Sequence, residues 1–489
     1  MITRRQFVEL GGALAAASSL GCDDVPPELG GLIGAAPRSF APPASSDVDV
    51  ISHVVGRLSF GLRPEDHARV RRLDSSADRA VERYIEAQLD ADRIDDRDAD
   101  ARLVRHGELE SSAGELYEYK PEVLLASLTS AALLRARYSE RQLHAVMVDL
   151  WTDHFNIDSG KGDCRWLKAA DDRDVIRAHA LGSFPELVRA SVLSPAMLWY
   201  LDGRVNRYAS PGDRPNENHA RELLELHTLG VHGGYTQQDV MEVARALSGW
   251  TVRSRREVVF GLGNVEFHPE WHDDGEKRIL GHVIPAGLGA RDVGAVIDLV
   301  ALHPATARHI ATKLCRRFIA DAPPAAAVDR VASAFTSSRG NIASTMRSLV
   351  KTPEFMAARR TKLKRPFHFV VSALRATDAR TDGGPALHEM LRRMGHAPFQ
   401  FPTPDGYPDD EASWLGTLLW RWNFAAAFAG NRIEGTRVAP ATLRNALGGD
   451  DGLRAHLLGR TATAAEREIL AGSPDSLALL IASPAFQRY

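Results

Sequence analysis

Helical spacing of apolar residues runs through most of this 489-residue chain and constrains its fold more than any other feature. Apolar side chains recur at intervals of three and four residues, which places them on one face of a helix. The pattern predicts helices over residues 81–89, 121–138, 140–155, 172–180, 221–229, 237–248, 292–302, 305–319, 326–335, 342–349, 365–376 and 414–428. Strand patterns are few: residues 258–260 and 265–267 predict a hairpin, and residues 278–284 a further strand. We therefore expect a mainly α fold, a large multi-helix body with a small β-hairpin insertion near residues 255–285.

Local signals support these helix boundaries. Thr236 followed by Asp239 is typical of a capping box, and His303-Pro304 places a proline in the first turn of the next helix. Three apolar helices end in a Ser/Thr-Pro turn followed by one large apolar residue, at residues 192–197, 349–355 and 480–486. We interpret these copies as a structural anchor, because their spacing is too irregular for a repeat array.

The N-terminus reads as a targeting segment. Residues 1–22 resemble a twin-arginine export signal, in which Arg4 and Arg5 precede an apolar stretch too short to span a membrane. Residues 18–22 resemble a lipoprotein cleavage site, although Ser19 departs from the usual pattern. Cys22 is therefore a candidate for lipidation, and the alternative is cleavage and release.

The segment that follows predicts a flexible tether. Residues 23–48 are rich in Pro, Gly, Ala and Ser and bury too little surface to fold. We expect a helical domain over residues 49–489, exported by the twin-arginine route. It would then reside in the periplasm or be held on a membrane by a lipid on Cys22.

Composition and motifs exclude several classes of function. The chain is 44% hydrophobic and 25% charged with a net charge of −3, and its arginines and acids are interspersed, so a nucleic-acid partner is not indicated. Beyond Cys22, only Cys164 and Cys315 remain, which makes neither a disulfide framework nor a thiolate zinc site. We predict that Cys315 is a buried thiol. The sequence contains no P-loop, GxSxG, HExxH or dinucleotide motif.

Residues 216–250 contain the most unusual polar pattern of the chain. On a helical wheel, Asn218, Arg221, Glu222 and Glu225 share one side, opposite the leucines. Two carboxylates three residues apart can share a proton or a divalent cation, or divide into an acid and a base. The alternative is a solvated face with an Arg221–Glu225 ion pair.

Two histidines have both a structural and a functional interpretation. His227 projects away from Glu222 and Glu225, so it is either a core histidine or part of a different, inward-facing site. His154, within residues 151–156, is either packed among aromatic residues or functional, if folding brings it near His272.

Two further clusters are open to both interpretations. His272, Asp273 and Lys277 belong to a loop whose imidazole and carboxylate groups suit a metal or a general base, or simply form a charged turn at Asp274-Gly275. A helix after Pro304 presents several cations that could bind an anion or form a solvated ridge: Arg308, Lys313, Arg316 and Arg317.

Taken together, these segments resemble a bacterial exported family known only as domain of unknown function 1800. The residues that carry the resemblance lie at 57–61, 151–155, 216–230, 233–236, 248–250, 272–273, 275, 277, 280–281, 303–307, 313–318, 353–355, 404–407, 414 and 421–424. They cover nearly the whole chain after the tether, with Ser59 and residues 404–408 as variants. The resemblance implies export, and often a neighbouring exported protein similar to an alkaline-phosphatase-type hydrolase. It implies no established activity.

We therefore expect a cell-envelope enzyme that uses acid–base or divalent-metal chemistry on an extracytoplasmic polymer or anionic substrate. The candidate catalytic residues are Glu222, Glu225, His272, Asp273 and His154, and the candidate substrate-binding residues are Asn216, Asn218, Arg221 and Lys277. A divalent metal is the one cofactor considered, with its identity open. The alternatives are a non-catalytic scaffold that docks the hydrolase-like partner, and a polysaccharide-binding module with an exposed platform of Trp250, Trp271 and Trp414.

Overall fold

The structure, a computed structural model, describes residues 48–489 except 209, 211, 255–260 and 474. The export signal, Cys22, residues 23–47 of the tether and the predicted strand 258–260 therefore lie outside the described residues. Within the part described, no helix combines the length and the apolar composition that a membrane span requires.

The fold is mainly α, as predicted from the sequence. The helices of the first half are α1 (Val50–Leu58), α2 (Asp66–Arg71), α3 (Ala77–Leu89), α4 (Arg97–Leu103), α5 (Pro121–Tyr138), α6 (Gln142–His154), α7 (Cys164–Asp171), α8 (Phe184–Val192), α9 (Pro195–Tyr200), α10 (Asn218–Glu222) and α11 (Gln237–Ala246). Short 3₁₀ turns cover Ala91–Arg93, Val104–Glu110, Glu115–Glu118 and Gly203–Val205.

The second half continues in the same way. Its helices are α12 (Asp292–Val300), α13 (Pro304–Phe318), α14 (Ala325–Ser337), α15 (Ile342–Val350), α16 (Pro353–Ala357), α17 (Pro366–Ala376), α18 (Pro385–Arg393), α19 (Leu418–Ala429), α20 (Pro440–Ala446), α21 (Asp450–Leu458), α22 (Ala464–Ala471), α23 (Ser476–Ala482) and α24 (Pro484–Gln487). Further 3₁₀ turns cover Pro269–Trp271, Gly289–Arg291 and Ala412–Thr417.

Within the described residues, three two-stranded antiparallel sheets interrupt the helices. β1 (Trp250–Val252) pairs with β2 (Val265–Phe267), β3 (Lys277–Ile279) with β4 (His282–Ile284), and β5 (Arg380–Thr381) with β6 (Thr436–Arg437). The prediction of a β insertion after Trp250 is confirmed. The partner of residues 265–267 is β1, whereas the sequence pattern had paired them with residues 258–260.

The predicted caps and anchors form as expected. Thr236 and Asp239 make a full capping box at the start of α11, and Pro304 occupies the first turn of α13. In the repeated anchor, the hydroxyls of Thr352 and Ser483 accept hydrogen bonds from backbone N–H groups, and prolines open the short helices that follow. The large apolar residues of the three copies, Met197, Phe355 and Phe486, are buried. The structural interpretation of this repeat is therefore confirmed.

One continuous apolar core extends through the helices, with smaller clusters around α4 and α5. Cys315 is buried in this core, as predicted, and burial raises the pKa of its thiol to about 12. Two helices continue as single π-helical turns: α7 into Asp172–Arg177, and α10 into Leu223–His227. A π turn holds one extra residue per turn and is frequent at functional sites.

Candidate functional site

A cavity of about 260 Å³ lies between the C-terminal end of α6, the π turn after α10, helix α13 and the loop before Ala412–Thr417. Its lining is strongly charged. The lining residues are Leu150, Asp153, His154, Leu226, Lys313, Arg316, Arg317, Arg365, Asp405, Gly406, Tyr407, Pro408 and Asp409. Three segments that carry the family resemblance, residues 151–155, 313–318 and 404–407, therefore converge here from distant parts of the chain.

The π turn binds two histidines, His309 and His154, of which His154 lines the cavity. The last carbonyls of a helix lack partners within the helix, so other donors must satisfy them. The Leu226 carbonyl accepts from Nε2 of His309 at 3.1 Å, and the His227 carbonyl accepts from Nε2 of His154 at 3.1 Å. The Thr228 hydroxyl donates to the Leu223 carbonyl at 2.6 Å and closes the turn.

These contacts fix the hydrogen on the His154 ring. Because a carbonyl oxygen only accepts, Nε2 of His154 carries the hydrogen and Nδ1 is left with a lone pair. Nζ of Lys313 lies 3.0 Å from that Nδ1 and donates to it. Burial, together with the positive charge of Lys313, lowers the pKa of His154 well below its usual value, so the imidazole is neutral.

Lys313 and Arg316 are cations without acidic partners. Neither has a carboxylate within 4.0 Å among the described residues, and the Nε of Arg316 donates only to the Asp321 carbonyl at 3.3 Å. They lie three residues apart on α13, so their side chains lie on the same face of the helix. Burial lowers the pKa of Lys313 to about 8, against the opposing effect of Asp153.

Apart from Asp405, the remaining charges of the cavity lining form a neutralised cluster. Arg365 binds Asp149 at 2.6 Å and also Asp153, and Arg317 binds Asp149 at 2.9 Å. Asp409 joins the cluster through Arg317 at 3.5 Å and Arg365 at 3.9 Å, and it also pairs with Lys362 at 3.6 Å. Such a buried cluster is costly to break, because the loss of one partner leaves an uncompensated charge.

Asp153 differs from the other acids of the cluster. Burial, together with repulsion from Asp149, raises the pKa of Asp153 to about 6, although the Arg365 guanidinium opposes this shift. Burial opposes the charge of Arg365 as well, but its carboxylate neighbours raise the pKa of Arg365 well above its usual value. Asp153 is therefore an acid that can gain a proton near neutral pH.

The predicted carboxylate pair lies beside this cavity. Arg221 reaches Glu225 at 3.4 Å, which confirms the predicted ion pair, and it also binds Glu217 at 2.9 Å. Burial and the charge of Glu225 raise the pKa of Glu222, and the cavity residue Asp405 adds to this shift. Glu222 has no hydrogen-bond or ion-pair partner among the residues that the structure describes. Glu222 directly precedes the π turn and His154 binds the carbonyl of its last residue, so both predicted residues adjoin this one element.

The two asparagines hold the start of α10. The Asn216 side chain accepts from the Asn218 N–H at 3.0 Å, and the Asn218 amide donates to the Leu201 carbonyl at 3.1 Å. Both side chains are therefore used within the protein. His227 is buried, as a core histidine would be, but its Nε2 has no partner among the described residues and its ring centroid lies 6.0 Å from that of His154.

His272, Asp273 and Lys277 lie in a different, buried cluster. His272 binds the Ser248 carbonyl at 2.9 Å and the Asp292 carboxylate at 3.1 Å, and Lys277 binds the same Asp292 at 2.6 Å. Asp273 accepts two hydrogen bonds from Arg245. The local sequence is typical of a loop that carries ligands. In the structure, its charged side chains instead form ion pairs and hydrogen bonds with α11 and α12.

Helix α11 contacts the polar face of α10 at one end and this cluster at the other. Gln237 at its first turn binds Arg221, and Arg245 at its last turn binds Asp273. Eight residues at 1.5 Å per residue put these two contacts about 12 Å apart. The structure thus does not bring His272, Asp273 and Lys277 to the site of Glu222, Glu225 and His154.

Two predicted ligand types find no site in the part of the chain that is described. No three His, Cys, Asp or Glu side chains there are grouped so as to hold a metal ion, and we assign no reaction step to one.

The predicted aromatic platform of Trp250, Trp271 and Trp414 does not form either. Trp414 is buried, and Trp271 is covered on its faces by His268, with ring centroids 4.0 Å apart, and by Arg207 at 3.7 Å.

Several cavity residues were not among the sequence candidates. Lys313, Arg316 and Arg317 were noted only as a cationic helix, and Asp153 only as a neighbour of His154. Asp405 and Asp409 lie in residues 404–409. The only sequence signal for them was the family resemblance of residues 404–407. Arg365 had no local signal, because its partners Asp149 and Asp153 are more than 200 residues earlier in the chain.

The comparison with known proteins gives one match. A family model described as "Protein of unknown function (DUF1800)" matches residues 53–488, which is nearly all of the chain. No curated protein and no solved structure matches it.

Proposed function

The chain belongs to the DUF1800 family, and from that premise we propose that it is an acid–base enzyme of the cell envelope that acts on a small anionic substrate. One observation carries the proposal: Lys313, without a carboxylate partner among the described residues, contacts the neutral His154 inside a charged cavity. A cationic acid in contact with a neutral base, in a partly dry site, is the arrangement that proton transfer requires.

The roles follow from the charges. Arg316 and the ammonium form of Lys313 attract the anionic group of the substrate, because the other cations of the cavity are already neutralised by aspartates. Nδ1 of His154 takes a proton from the substrate, and Lys313 returns one. Because the pKa of Lys313 is about 8, both of its protonation states are populated near neutral pH. Glu222, with its raised pKa, is a second proton carrier beside the cavity.

Anion binding tests the proposal directly. We expect inorganic phosphate or acetate to bind wild-type protein in calorimetry, and Lys313→Met and Arg316→Gln each to weaken binding about tenfold, the value of one charge-assisted hydrogen bond. Arg308→Gln is the matched control, since Arg308 lies on the same helix but pairs with Asp329 at the surface. Equal binding by all three variants would rule out this site.

Turnover is the second arm of the same test. Wild-type protein and Lys313→Met are incubated separately with an envelope extract of the host, and the anionic small molecules are compared by mass spectrometry. We expect at least one anion to be consumed only by wild type. If no anion is consumed and none binds in calorimetry, the proposal that the protein is an enzyme is wrong.

The envelope location is a proposal from the N-terminal sequence. Arg4, Arg5 and Cys22 support export by the twin-arginine route and lipid attachment to a membrane. We expect Cys22→Ser to move the protein from the membrane fraction to the periplasm or medium, and Arg4→Lys with Arg5→Lys to retain it in the cytoplasm. Membrane retention of Cys22→Ser would remove the lipid anchor from the account.

The alternative is a scaffold that docks an exported protein similar to an alkaline phosphatase. The observation in its favour is that Glu217, Arg221 and Gln237 form a partly exposed polar cluster at α10, which a partner could contact. Under this alternative, Arg221→Ala abolishes co-purification of the partner, while Lys313→Met leaves it unchanged. If the protein is an enzyme, we expect Lys313→Met to impair its function more than Arg221→Ala does.

A further inference from the structure

Lys313 differs from the ion-paired lysines of the described chain in what surrounds its amine. Lys364 is also buried without a carboxylate partner there, but its amine donates to the Phe486 carbonyl and not to an imidazole. Lys168, Lys277 and Lys362 each lie within 2.7 Å of an aspartate oxygen, and Lys161 within 3.3 Å. A carboxylate at that distance holds a lysine in its charged form. Lys313 instead contacts an imidazole nitrogen and lines an open cavity.

The surroundings of Lys313 suit a nucleophile. An amine attacks a carbonyl carbon only in its neutral form, which partial burial without a directly paired carboxylate favours. Nδ1 of His154, at 3.0 Å, is placed to accept a proton from the amine and to return it nearby. The cavity, about 260 Å³, has room for a small organic molecule next to the amine.

Arg316 indicates which carbonyl compounds fit. Its guanidinium lines the same cavity as Lys313, three residues further along α13, and has no carboxylate partner among the described residues. A guanidinium binds a carboxylate through two parallel hydrogen bonds. A substrate with a carboxylate next to its carbonyl would therefore place the carbonyl carbon at Lys313.

We propose that Lys313 forms an imine with a 2-oxo acid held by Arg316. This inference rests on the proposed acid–base pair and adds a covalent step to it. The amine nitrogen of Lys313 bonds to the carbonyl carbon, and the carbon–oxygen double bond is replaced by a carbon–nitrogen double bond. The oxygen leaves as one water molecule, and both hydrogens of that water come from the amine, carried through Nδ1 of His154. No electrons are gained or lost, so the step needs no further reactant.

Reductive trapping tests the imine. The full exported chain is incubated with pyruvate and sodium cyanoborohydride, digested, and mapped by mass spectrometry. We expect one reduced pyruvyl group on Lys313, at a level about tenfold above that on the exposed Lys351 or on the ion-paired Lys362. Equal labelling of the three lysines, or none on Lys313, would overturn the proposal.

Two variants identify the contributions of the neighbours. His154→Phe keeps a ring in the aromatic surroundings but removes the proton acceptor, and we expect it to slow trapping about tenfold or more. Arg316→Gln is expected to raise the pyruvate concentration needed for half-maximal trapping, while trapping of acetone, which lacks a carboxylate, stays unchanged. If Arg316→Gln affects both probes equally, the assignment of the carboxylate site is wrong.

The outcome is separable from the proposed function. Phosphate or acetate binding that is lost in Lys313→Met, with no trapping by pyruvate, would leave an acid–base enzyme without a covalent step. Absence of both would contradict the two proposals together.

Discussion

At the scale of single residues, the site depends on close approaches that few side chains permit. Gly406 lies against the backbone of α6, where a Cβ atom would be 2.2 Å from the Asp153 carbonyl oxygen. Its φ of +74° also favours glycine. This contact presses the loop of Asp405 and Tyr407 onto Asp153 and His154, so it sets one wall of the cavity.

Gly406→Ala should therefore destabilise the protein by about 2–4 kcal/mol, from the backbone strain and the clash together. Gly395→Ala is the matched control, because Gly395 has the same φ of +74° and nothing within 4 Å of its Cβ position. Urea unfolding of the two variants measures the difference. Equal losses for both would mean that the loop does not press on Asp153.

At the scale of elements, the helices were the predictable part of the structure and the π turn was not. Residues 121–138 form a helix with the predicted boundaries, because a first-turn proline and a long apolar pattern define it locally. The predicted helix 221–229 instead shifts into α10 and the π turn Leu223–His227. The side chains of His154 and His309, from α6 and α13, satisfy the carbonyls of that turn, and such tertiary partners leave no local sequence signal.

The same reason limits prediction of the site. Glu222, Glu225 and Arg221 were predictable as a group, since helical spacing places them together. The position of His154 relative to this group depends on the tertiary fold. Lys313, which contacts His154, lies 159 residues away from it in sequence. His272 had the local sequence of a ligand, but its Asp292 partner, 20 residues later, made it a structural residue.

Thr228→Val tests the π turn. Valine keeps the shape but cannot donate to the Leu223 carbonyl, and we expect a loss of about 1 kcal/mol together with altered NMR signals of His154 and His309. Thr377→Val is the control, because the buried Thr377 hydroxyl bonds the Ala373 carbonyl at the end of the ordinary helix α17. It should cost a similar amount and leave both histidine signals in place. If the histidine signals are unchanged in Thr228→Val, the π turn does not position His154 and His309.

At the scale of the whole molecule, the protein holds many of its histidines buried and neutral. Burial lowers the pKa of His53 to about 3 and of His144, His219 and His309 to about 4. The unfolded chain, where a histidine has a pKa near 6.5, therefore binds more protons than the folded chain at mildly acidic pH. The stability of the fold must then fall as pH drops below that value.

We expect the free energy of unfolding, measured in urea, to decrease from about pH 7 to about pH 5, by up to about 1.4 kcal/mol per pH unit for each such histidine. His219→Leu should reduce the pH dependence of the free energy of unfolding by the contribution of one histidine. Both ring nitrogens of His219 are buried without partners among the described residues. The surface variant His232→Leu, at an exposed position, should leave the slope unchanged. A slope unaffected by His219→Leu would contradict the account.

The central claim is that Lys313 is a half-buried, readily deprotonated amine in contact with His154. NMR titration of the Nζ signal of Lys313, assigned with Lys313→Arg, tests it most directly. We predict a midpoint of about pH 8 that rises towards the ordinary lysine value when the cavity is opened by Gly406→Ala. A midpoint near 10.5 in the wild-type protein, the ordinary lysine value, would contradict the account.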